Sequence, residues 1–529
     1  MNKVAVVLIV IAMMVGGWLR VKDLDKVPPH LGNDEISIAF DSYSVLKTGK
    51  DEHGVLFPLS FMSHRSYKAP LYAYVNIPQI IVWGRTENGI RMTSAIAGIV
   101  AIGALGAIGS LIGGPGVALA GAWLTALSPK LIWASRIGYE SNLAVTVGLL
   151  AVLSLLVYLK NGRKVFYVIS ALMFGLTVWA YHTWWGLGPM LALFLPLKLT
   201  GLKRYRAWIP YWFLAIMVAL PIAIDFVGVQ LKDTHNRASS QLWWRAGQTT
   251  DFLKRDDVSS LKKAATLIVI PVNNYIDHFS LNGNFSSGLG LFDKRSPMGQ
   301  GWYLLPTLIL MIFGLIKGPK IFGKYNGALV GWWLLCPIVP ATTSGMEAVR
   351  NLAMMGPGLL FAGGGLVEVV KKYRRVGGVI LVALAFSFWQ FYLAYYVHYP
   401  KTVGNNFQYG YKQVWEKIKP VASEYQHIVV EPKFGRDGQF VGVPHLYFGY
   451  FGAFEAEDML KRVDQNGTKI GKYEFRGIDW FAEPLREGKS IYVVSAINSV
   501  VGDWYDKLKL VDVISTPDDQ RQFLIYQSK

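Results

Sequence analysis

Long apolar runs separated by short basic loops are the feature that most restricts the fold of this chain. The loops 160–164, 198–206, 317–324 and 371–375 carry lysine and arginine but no acidic residue. Successive basic loops are two apolar runs apart, which is the spacing that alternating passage through a membrane requires. Because short basic loops stay in the cytoplasm, we expect all four on that side. The sequence therefore predicts a multi-pass membrane protein.

The composition agrees with this prediction. Charged residues make up 17% of the chain, against about 25% in soluble proteins. A net charge of +18 would suggest a nucleic-acid partner in a soluble protein. Here the distribution of the cations matters more than their sum, so we predict membrane lipids and no nucleic acid as partners. Cys336 is the one cysteine, which excludes an intramolecular disulfide.

About eleven apolar segments are candidate spans when their flanks are included. They are 4–20, 91–112, 115–128, 141–159, 165–181, 186–199, 208–228, 302–317, 326–341, 351–370 and 376–397. The first has no small-residue cleavage site after it, which indicates an uncleaved signal anchor. The run from Pro70 to Gly84 is shorter and contains Pro78, so we expect an interfacial or re-entrant element there.

Counting spans from the basic loops places the N-terminus in the cytoplasm and the C-terminus outside the cell membrane. Two outer loops follow, 21–90 and 229–301. Residues 400–529 form a third outer region, in which HIVVE, KSIYVVSA and FLIYQ read as strands and YKQVWEKIKPVA and FEAEDMLKRV as helices. We therefore predict an all-α polytopic membrane domain over 1–399 and a small extracytoplasmic α/β domain over 400–529.

The stretch from Leu31 to Lys50 follows the first span and begins with the adjacent carboxylates Asp34 and Glu35. Asn33 is suited to cap a helix whose apolar residues fall on one stripe, so we expect an amphipathic helix along the bilayer surface. The acids at its start are candidate catalytic groups. The alternative is that they are only first-turn residues favoured by the helix dipole.

Further charged residues are predicted on the same outer side. They are Arg65 and Lys68 before Pro70, Arg136 and Glu140 at the end of one span, and Arg350 before another. Cations at lipid depth are suited to bind a lipid phosphate. The alternative for Arg136 and Arg350 is that they reach from span ends toward the interface. No Cys/His spacing of a metal site is present. No cofactor is assigned, and a divalent metal stays open without support from the sequence.

The order of these motifs resembles glycosyltransferase family 39, which has the GT-C fold and is related to protein O-mannosyltransferases and the aminoarabinose transferase of lipid A. The resemblance covers about residues 1–400. It rests on NDE after the first span, YKAPLY, RMTSAIAG, LSPKLIWASRIGYE, GNFSSGLGLFDKR and the external Arg350-Asn351. It implies transfer of a sugar from a polyprenyl-phosphate carrier on the outer face, with inversion.

The resemblance also assigns roles. Asp34 matches the catalytic base, and Lys68 matches the lysine that holds the donor phosphate. Glu140 matches a second outer-loop acid that is Asp in many relatives. In the aminoarabinose enzyme an acid that binds a metal precedes the lysine matched by Lys68. Tyr67 occupies that position in this sequence, so the resemblance carries over no metal site.

The chemistry of these residues fits glycosyl transfer. A phosphate leaving group needs a cation rather than a general acid, and an acceptor hydroxyl needs a carboxylate to take its proton. The acceptor remains open between a protein, a lipid and a glycan. The alternative function is a transporter or flippase for a lipid or lipid-linked sugar, which would need ionisable groups near the midplane of the spans. A third interpretation is a non-catalytic relative.

Overall fold

The computed structural model describes residues 3–63, 66–230, 242–243, 247–287, 299–343, 345, 347, 349–402, 408–434, 440–464, 467–483, 486–498, 500 and 504–529. The chain forms two compact units. The first contains Met1–Lys22, Leu59–Tyr72 and Thr93–Ala394. The second contains Asp23–Pro58, Ala73–Met92 and Tyr395–Lys529.

The first unit is helical. Its helices are Lys3–Val21, Pro129–Ala134, Glu140–Asn161, Lys164–Ala180, Trp184–Thr200, Tyr205–Asp225, Gly247–Lys254, Ser260–Asp277, Thr307–Phe322, Asn326–Leu335, Ile338–Ala341, Met355–Lys372 and Arg374–Tyr392. Most of the predicted apolar segments coincide with one of these helices. Among the described residues, six helices are long and apolar enough to cross a membrane, by length and composition alone.

One of these six, Glu87–Ala126, is two helices joined by a tight turn. Gly114 has a φ of 82°, a left-handed conformation that favours glycine, and Pro115 starts the second arm. The arms lie against each other, because a Cβ built on Gly106 would meet the Cβ of Ala122 at 3.3 Å. The break between the apolar segments 91–112 and 115–128 is therefore a turn.

The helices Thr307–Phe322 and Met355–Lys372 approach each other closely. A Cβ on Gly314 would lie 1.9 Å from the carbonyl oxygen of Phe361, and one on Gly365 would lie 2.0 Å from that of Leu310. Small residues at such a crossing allow the two backbones to pack closely, as is common between helices inside a membrane.

The second unit is built on a seven-stranded mixed sheet in the order β10-β11-β9-β3-β8-β7-β6. Its strands are β3 His427–Val430, β6 Val463–Asp464, β7 Thr468–Ile470, β8 Tyr473–Phe475, β9 Ser490–Ser495, β10 Leu508–Ser515 and β11 Arg521–Ser528. The central strand β3 is parallel to both β8 and β9, and the other pairs are antiparallel. The three strands predicted from sequence are β3, β9 and β11.

Short helices complete this unit: Tyr411–Ile418, Pro444–Tyr450, Ala456–Met459 and Trp504–Lys507. The predicted helix FEAEDMLKRV is only partly correct, because the helix ends at Met459 and strand β6 begins at Val463. Two small sheets remain: β1 Phe61–Ser63 with β2 Ser66–Lys68 in the first unit, and β4 Lys433–Phe434 with β5 Phe440–Val441 in the second. The helix Asn33–Thr48 also belongs to the second unit, and Leu71–Trp83 begins at the boundary of the first.

Candidate active site

The helix Asn33–Thr48 begins one residue earlier than the sequence suggested. Gly32, not Asn33, is the cap residue, and its backbone N–H donates to Glu35 Oε2 at 3.0 Å. This contact satisfies an N–H that would otherwise lack a partner at the helix start. Asp34 consequently occupies the second helical position, where the helix dipole favours an anion.

The predicted apolar stripe of this helix is an incomplete description. Every residue from Glu35 to Val45 is buried, including the polar ones. The helices Pro444–Tyr450 and Ala456–Met459 of the same unit pack against it. Part of this burial therefore comes from the C-terminal part of the chain.

Glu35 and Arg91 form a fully buried ion pair. Arg91 Nε lies 3.1 Å from Glu35 Oε1, and both side chains have no exposed surface. The rest of the guanidinium donates to the carbonyl oxygens of Leu24, Pro28 and His30 at 2.8 to 2.9 Å. Arg91 thus connects the loop before the helix Asn33–Thr48 to Glu35, which lies in the first turn of that helix. The sequence signal was an arginine in the first turns of an apolar helix, and it was not recognised.

The backbone just before the candidate base is held from the C-terminal part of the chain. The hydroxyl of Tyr447 donates to the carbonyl oxygen of Leu31 at 2.6 Å. The ring of His30 is stacked on that of Tyr447, with centroids 4.9 Å apart, and also contacts Tyr409 and Phe451. No hydrogen-bond partner for the His30 ring nitrogens occurs among the described residues.

Ion pairs also connect this part of the chain to the C-terminal residues of the same unit. Lys412 Nζ lies 2.7 Å from Glu87 Oε1, and Arg85 Nη2 lies 3.1 Å from Glu455 Oε1. The hydroxyl of Tyr43, in the middle of the helix, donates to the Glu455 carboxylate. Burial and this hydrogen bond raise the pKa of Tyr43 to about 12, so it remains a donor at neutral pH.

Asp34 differs from its neighbour in its surroundings. Glu35 is buried with both oxygens engaged, whereas Asp34 is half-buried. Glu35 therefore holds the first turn of the helix, whereas the side chain of Asp34 is partly exposed.

The other described candidates lie in the first unit. Lys68 is the last residue of β2, is 2% exposed and is paired in register with Phe61 of β1. Arg65 lies outside the described residues. Arg350 Nε lies 2.8 Å from Glu347 Oε2.

Arg136 and Glu140 lie in and after the turn that follows the helix Pro129–Ala134. Arg136 has no exposed surface and donates to the carbonyl oxygen of Leu19 at 2.9 Å. This burial contradicts the alternative in which Arg136 reaches toward the interface. Glu140 is buried and is the first residue of the helix Glu140–Asn161, where the dipole again favours an anion.

A buried lysine in the same unit was missed by the sequence reasoning. The Nζ of Lys130 lies 2.9 Å from the centroid of the Trp302 ring, and the residue has no exposed surface. Burial lowers the pKa of Lys130 well below its usual value, and the charge of Glu347 only partly opposes this. Within LSPKLIWASRIGYE this lysine had no distinguishing pattern. Among the described residues, no three His, Cys, Asp or Glu side chains are grouped to hold a metal ion.

The helical unit and the sheet-based unit together define a GT-C fold, as the sequence resemblance implied. The structure of ArnT from Cupriavidus metallidurans bound to undecaprenyl phosphate matches with a TM-score of 0.57 and 14% identity. The match covers 99% of this chain and 98% of that one. The apo structure of the same ArnT matches with a TM-score of 0.57 and 13% identity, over 98% and 97% of the two chains.

A weaker match is the archaeal oligosaccharyltransferase AglB from Archaeoglobus fulgidus in complex with an inhibitory peptide and a dolichol-phosphate. It has a TM-score of 0.46 and 12% identity over 85% of this chain and 63% of that one. No family model matches the sequence, and no curated protein matches it significantly.

Proposed function

We propose that this protein is an inverting glycosyltransferase that moves a sugar from a polyprenyl-phosphate donor to an acceptor hydroxyl. The observation that carries the proposal is the difference in burial and contacts between Asp34 and Glu35. One carboxylate is locked by Arg91 and the Gly32 N–H, and its neighbour is half-buried at the start of a helix held on several sides. The undecaprenyl phosphate in the ArnT structure, which has the same fold, supports this class of donor.

In the proposed reaction Asp34 accepts the proton of the acceptor hydroxyl as its oxygen attacks the anomeric carbon. The bond from that carbon to the phosphate oxygen breaks on the opposite face, and polyprenyl phosphate leaves with the electron pair. No general acid is needed, because the leaving group is already a stable anion. Glu35, which the sequence suggested as catalytic, acts instead by positioning the turn.

Four cations are proposed to bind the donor phosphate: Lys68, Arg65, Arg136 and Arg350. The support for these four residues is the chemistry of lysine and arginine, which pair with phosphate oxygens. Glu140, at a helix start, is proposed to orient the acceptor or a cation and not to serve as the base.

The reaction is proposed to take place on the outer face of the cell membrane. This follows from about eleven spans, a cytoplasmic N-terminus and an outer C-terminus, as the basic loops predict. The outer loops 21–90 and 229–301 of the membrane domain 1–399 would then lie on the same side of the membrane as the α/β region 400–529. The acceptor is a protein, a lipid or a glycan.

The test uses purified protein in lipid nanodiscs with a panel of polyprenyl-phosphate sugars. Mass spectrometry follows donor loss, and NMR determines the anomeric configuration of the released or transferred sugar. We expect turnover of one donor with inversion. Retention of configuration, or saturable binding of every donor with no turnover, would reject the proposal. Movement of labelled donor across liposomes without loss of its sugar would favour the transporter alternative.

A further inference from the structure

The helix Ser260–Asp277 of the first unit carries an exposed apolar stripe. None of its residues is buried. Its large apolar side chains that are 49–81% exposed are Leu261, Ile268, Val269, Val272 and Ile276. At about 100° per residue, these five positions fall within a sector of about 100° around the helix axis. They therefore form one stripe along the length of the helix.

Another side of this helix is attached to the rest of the unit. Pro271 has no N–H, so it makes no bond to the carbonyl oxygen of Leu267 one turn earlier. The indole Nε1 of Trp243 donates to that oxygen at 3.1 Å. The backbone N–H of Trp243 in turn donates to the carbonyl oxygen of Thr342 at 3.1 Å. The proline therefore provides an acceptor through which the helix is held.

Two further bonds join the helix to the predicted span 326–341. Asn274 Nδ2 donates to the carbonyl oxygen of Ala341 at 3.1 Å, and the hydroxyl of Tyr275 donates to that of Leu334 at 2.9 Å. The side chain of Leu334 is itself 42% exposed. These bonds fix the rotation of the helix about its axis and place it beside the end of a span that exposes apolar surface.

The charged residues of this helix lie at its ends and not on the stripe. Lys262 and Lys263 are near its start, and Asp277 is its last residue. Cations at the start of a helix oppose its dipole, so the lysines do not serve the stability of the helix. Lysine side chains beside an apolar stripe can extend to the phosphates of lipid headgroups.

The bilayer is the partner that fits this stripe. The helix has 18 residues, and it is not among the described helices that are long and apolar enough to cross a membrane. An exposed apolar surface of this kind marks a contact with a partner. A helix with one apolar stripe and a polar remainder is typical of helices that lie along a bilayer surface. The attachment to the end of a predicted span places this helix where such a surface is available.

We propose that the helix Ser260–Asp277 lies along the membrane surface, with its apolar stripe among the acyl chains and its lysines at the lipid phosphates. Under the predicted topology, in which the loop 229–301 is outside, the surface is that of the outer leaflet. The helix then holds this long loop at the membrane, whichever reaction the protein catalyses.

The test places an NBD fluorophore on single cysteines of the full-length protein in lipid nanodiscs. Ile268→Cys and Val272→Cys lie on the stripe. Asn273→Cys is the matched control, because Asn273 is exposed and adjacent to Val272 but lies off the stripe. The wild-type protein is the labelling blank, because its one cysteine, Cys336, is buried.

We expect lipids with brominated acyl chains to reduce NBD emission by about half or more at the two stripe positions, and by much less at Asn273→Cys. Aqueous dithionite should bleach NBD fastest at Asn273→Cys. Equal quenching at all three positions, or quenching at none, would overturn the proposal. Disulfide-linked dimers of Val272→Cys without bromine quenching would assign the stripe to a second copy and also overturn it. No donor is added and Asp34 is unchanged, so the result is independent of the transferase assay.

Discussion

At the residue scale, Asp34 and Glu35 show how the structure separates two acids that the sequence presents together. Glu35 was predicted to be catalytic because it follows Asp34 in NDE. Its contacts are with Arg91 and with the Gly32 N–H. No pattern in the sequence relates Glu35 to a residue 56 positions away, so the pairing of Glu35 with Arg91 required the structure.

Replacement of Glu35 by Gln is expected to destabilise the protein. It leaves the Arg91 guanidinium buried without its counter-charge, which costs about 3–5 kcal/mol for a pair of this kind. Thermal unfolding in nanodiscs should therefore show a clear fall in Tm. The double variant Glu35→Gln with Arg91→Met should recover part of the loss, because the uncompensated charge is gone. A Tm of Glu35→Gln equal to wild type would show that the pair does not stabilise the turn.

His30 should make the stability of the protein depend on pH. Burial, aided by the charges of Lys412 and Arg91, lowers the pKa of His30 well below its usual value. The unfolded chain takes up a proton below about pH 6.5 and the folded chain does not. The free energy of unfolding should therefore fall as the pH drops below 6.5, by at most about 1.4 kcal/mol per pH unit from this residue.

His30→Phe tests this directly, because the new ring retains the stacking on Tyr447 but does not titrate. We expect the fall in Tm between about pH 7.5 and pH 5.5 to become smaller than in wild type. An unchanged pH dependence would mean that His30 is not the group responsible.

At the element scale, the helix Asn33–Thr48 was predicted correctly in position and in its acidic first turn. Its apolar spacing was visible in the sequence, and the glycine that ends it, Gly49, was not used in the prediction. Its full burial was not, because the helices that cover it lie about 400 residues later in the chain. The interfacial position of this helix in the bilayer stays a prediction.

Tyr447→Phe should separate positioning from folding. It removes the hydrogen bond to Leu31, at a cost of about 1 kcal/mol, and loosens the backbone before Asp34. We expect a lower kcat with an unchanged KM for the donor. Tyr425→Phe is the control, because it loses a comparable bond to Gln527 elsewhere in the unit. Equal kcat values for the two variants would show that Tyr447 does not position the base.

At the scale of the whole molecule, the alternation of apolar runs and basic loops was sufficient to predict a multi-pass membrane protein, and the resemblance of the motifs implied the GT-C fold. Most helices of the first unit coincide with a predicted apolar segment, but Pro129–Ala134, Gly247–Lys254 and Ser260–Asp277 were not predicted. Hydropathy did not predict which segments of the chain make up the second unit. Residues 23–58 and 73–92 join the C-terminal residues through contacts such as that of Tyr447 with Leu31, which no local pattern encodes. The functional division at residue 400 stays a prediction.

The candidate site was predictable only in part. Asp34 and Lys68 are predicted site residues because they stand in short motifs that match the family, and their roles stay a prediction. Arg91 and Lys130 were missed, since a single buried cation in an apolar stretch resembles many structural ones. What distinguishes them, burial and the partner on another element, exists only in the folded chain.

The most direct test of the account is the rate at which polyprenyl phosphate is released from the accepted donor by wild type, Asp34→Asn and Asp25→Asn. Asp25 is an exposed acid of the same loop, so its variant makes the same chemical change away from the helix. We predict that Asp34→Asn lowers the rate by about 10²–10⁴-fold, the usual contribution of a general base, with donor binding unchanged. Asp25→Asn should match wild type. A rate for Asp34→Asn within a few-fold of wild type would contradict the assignment of Asp34 as the base.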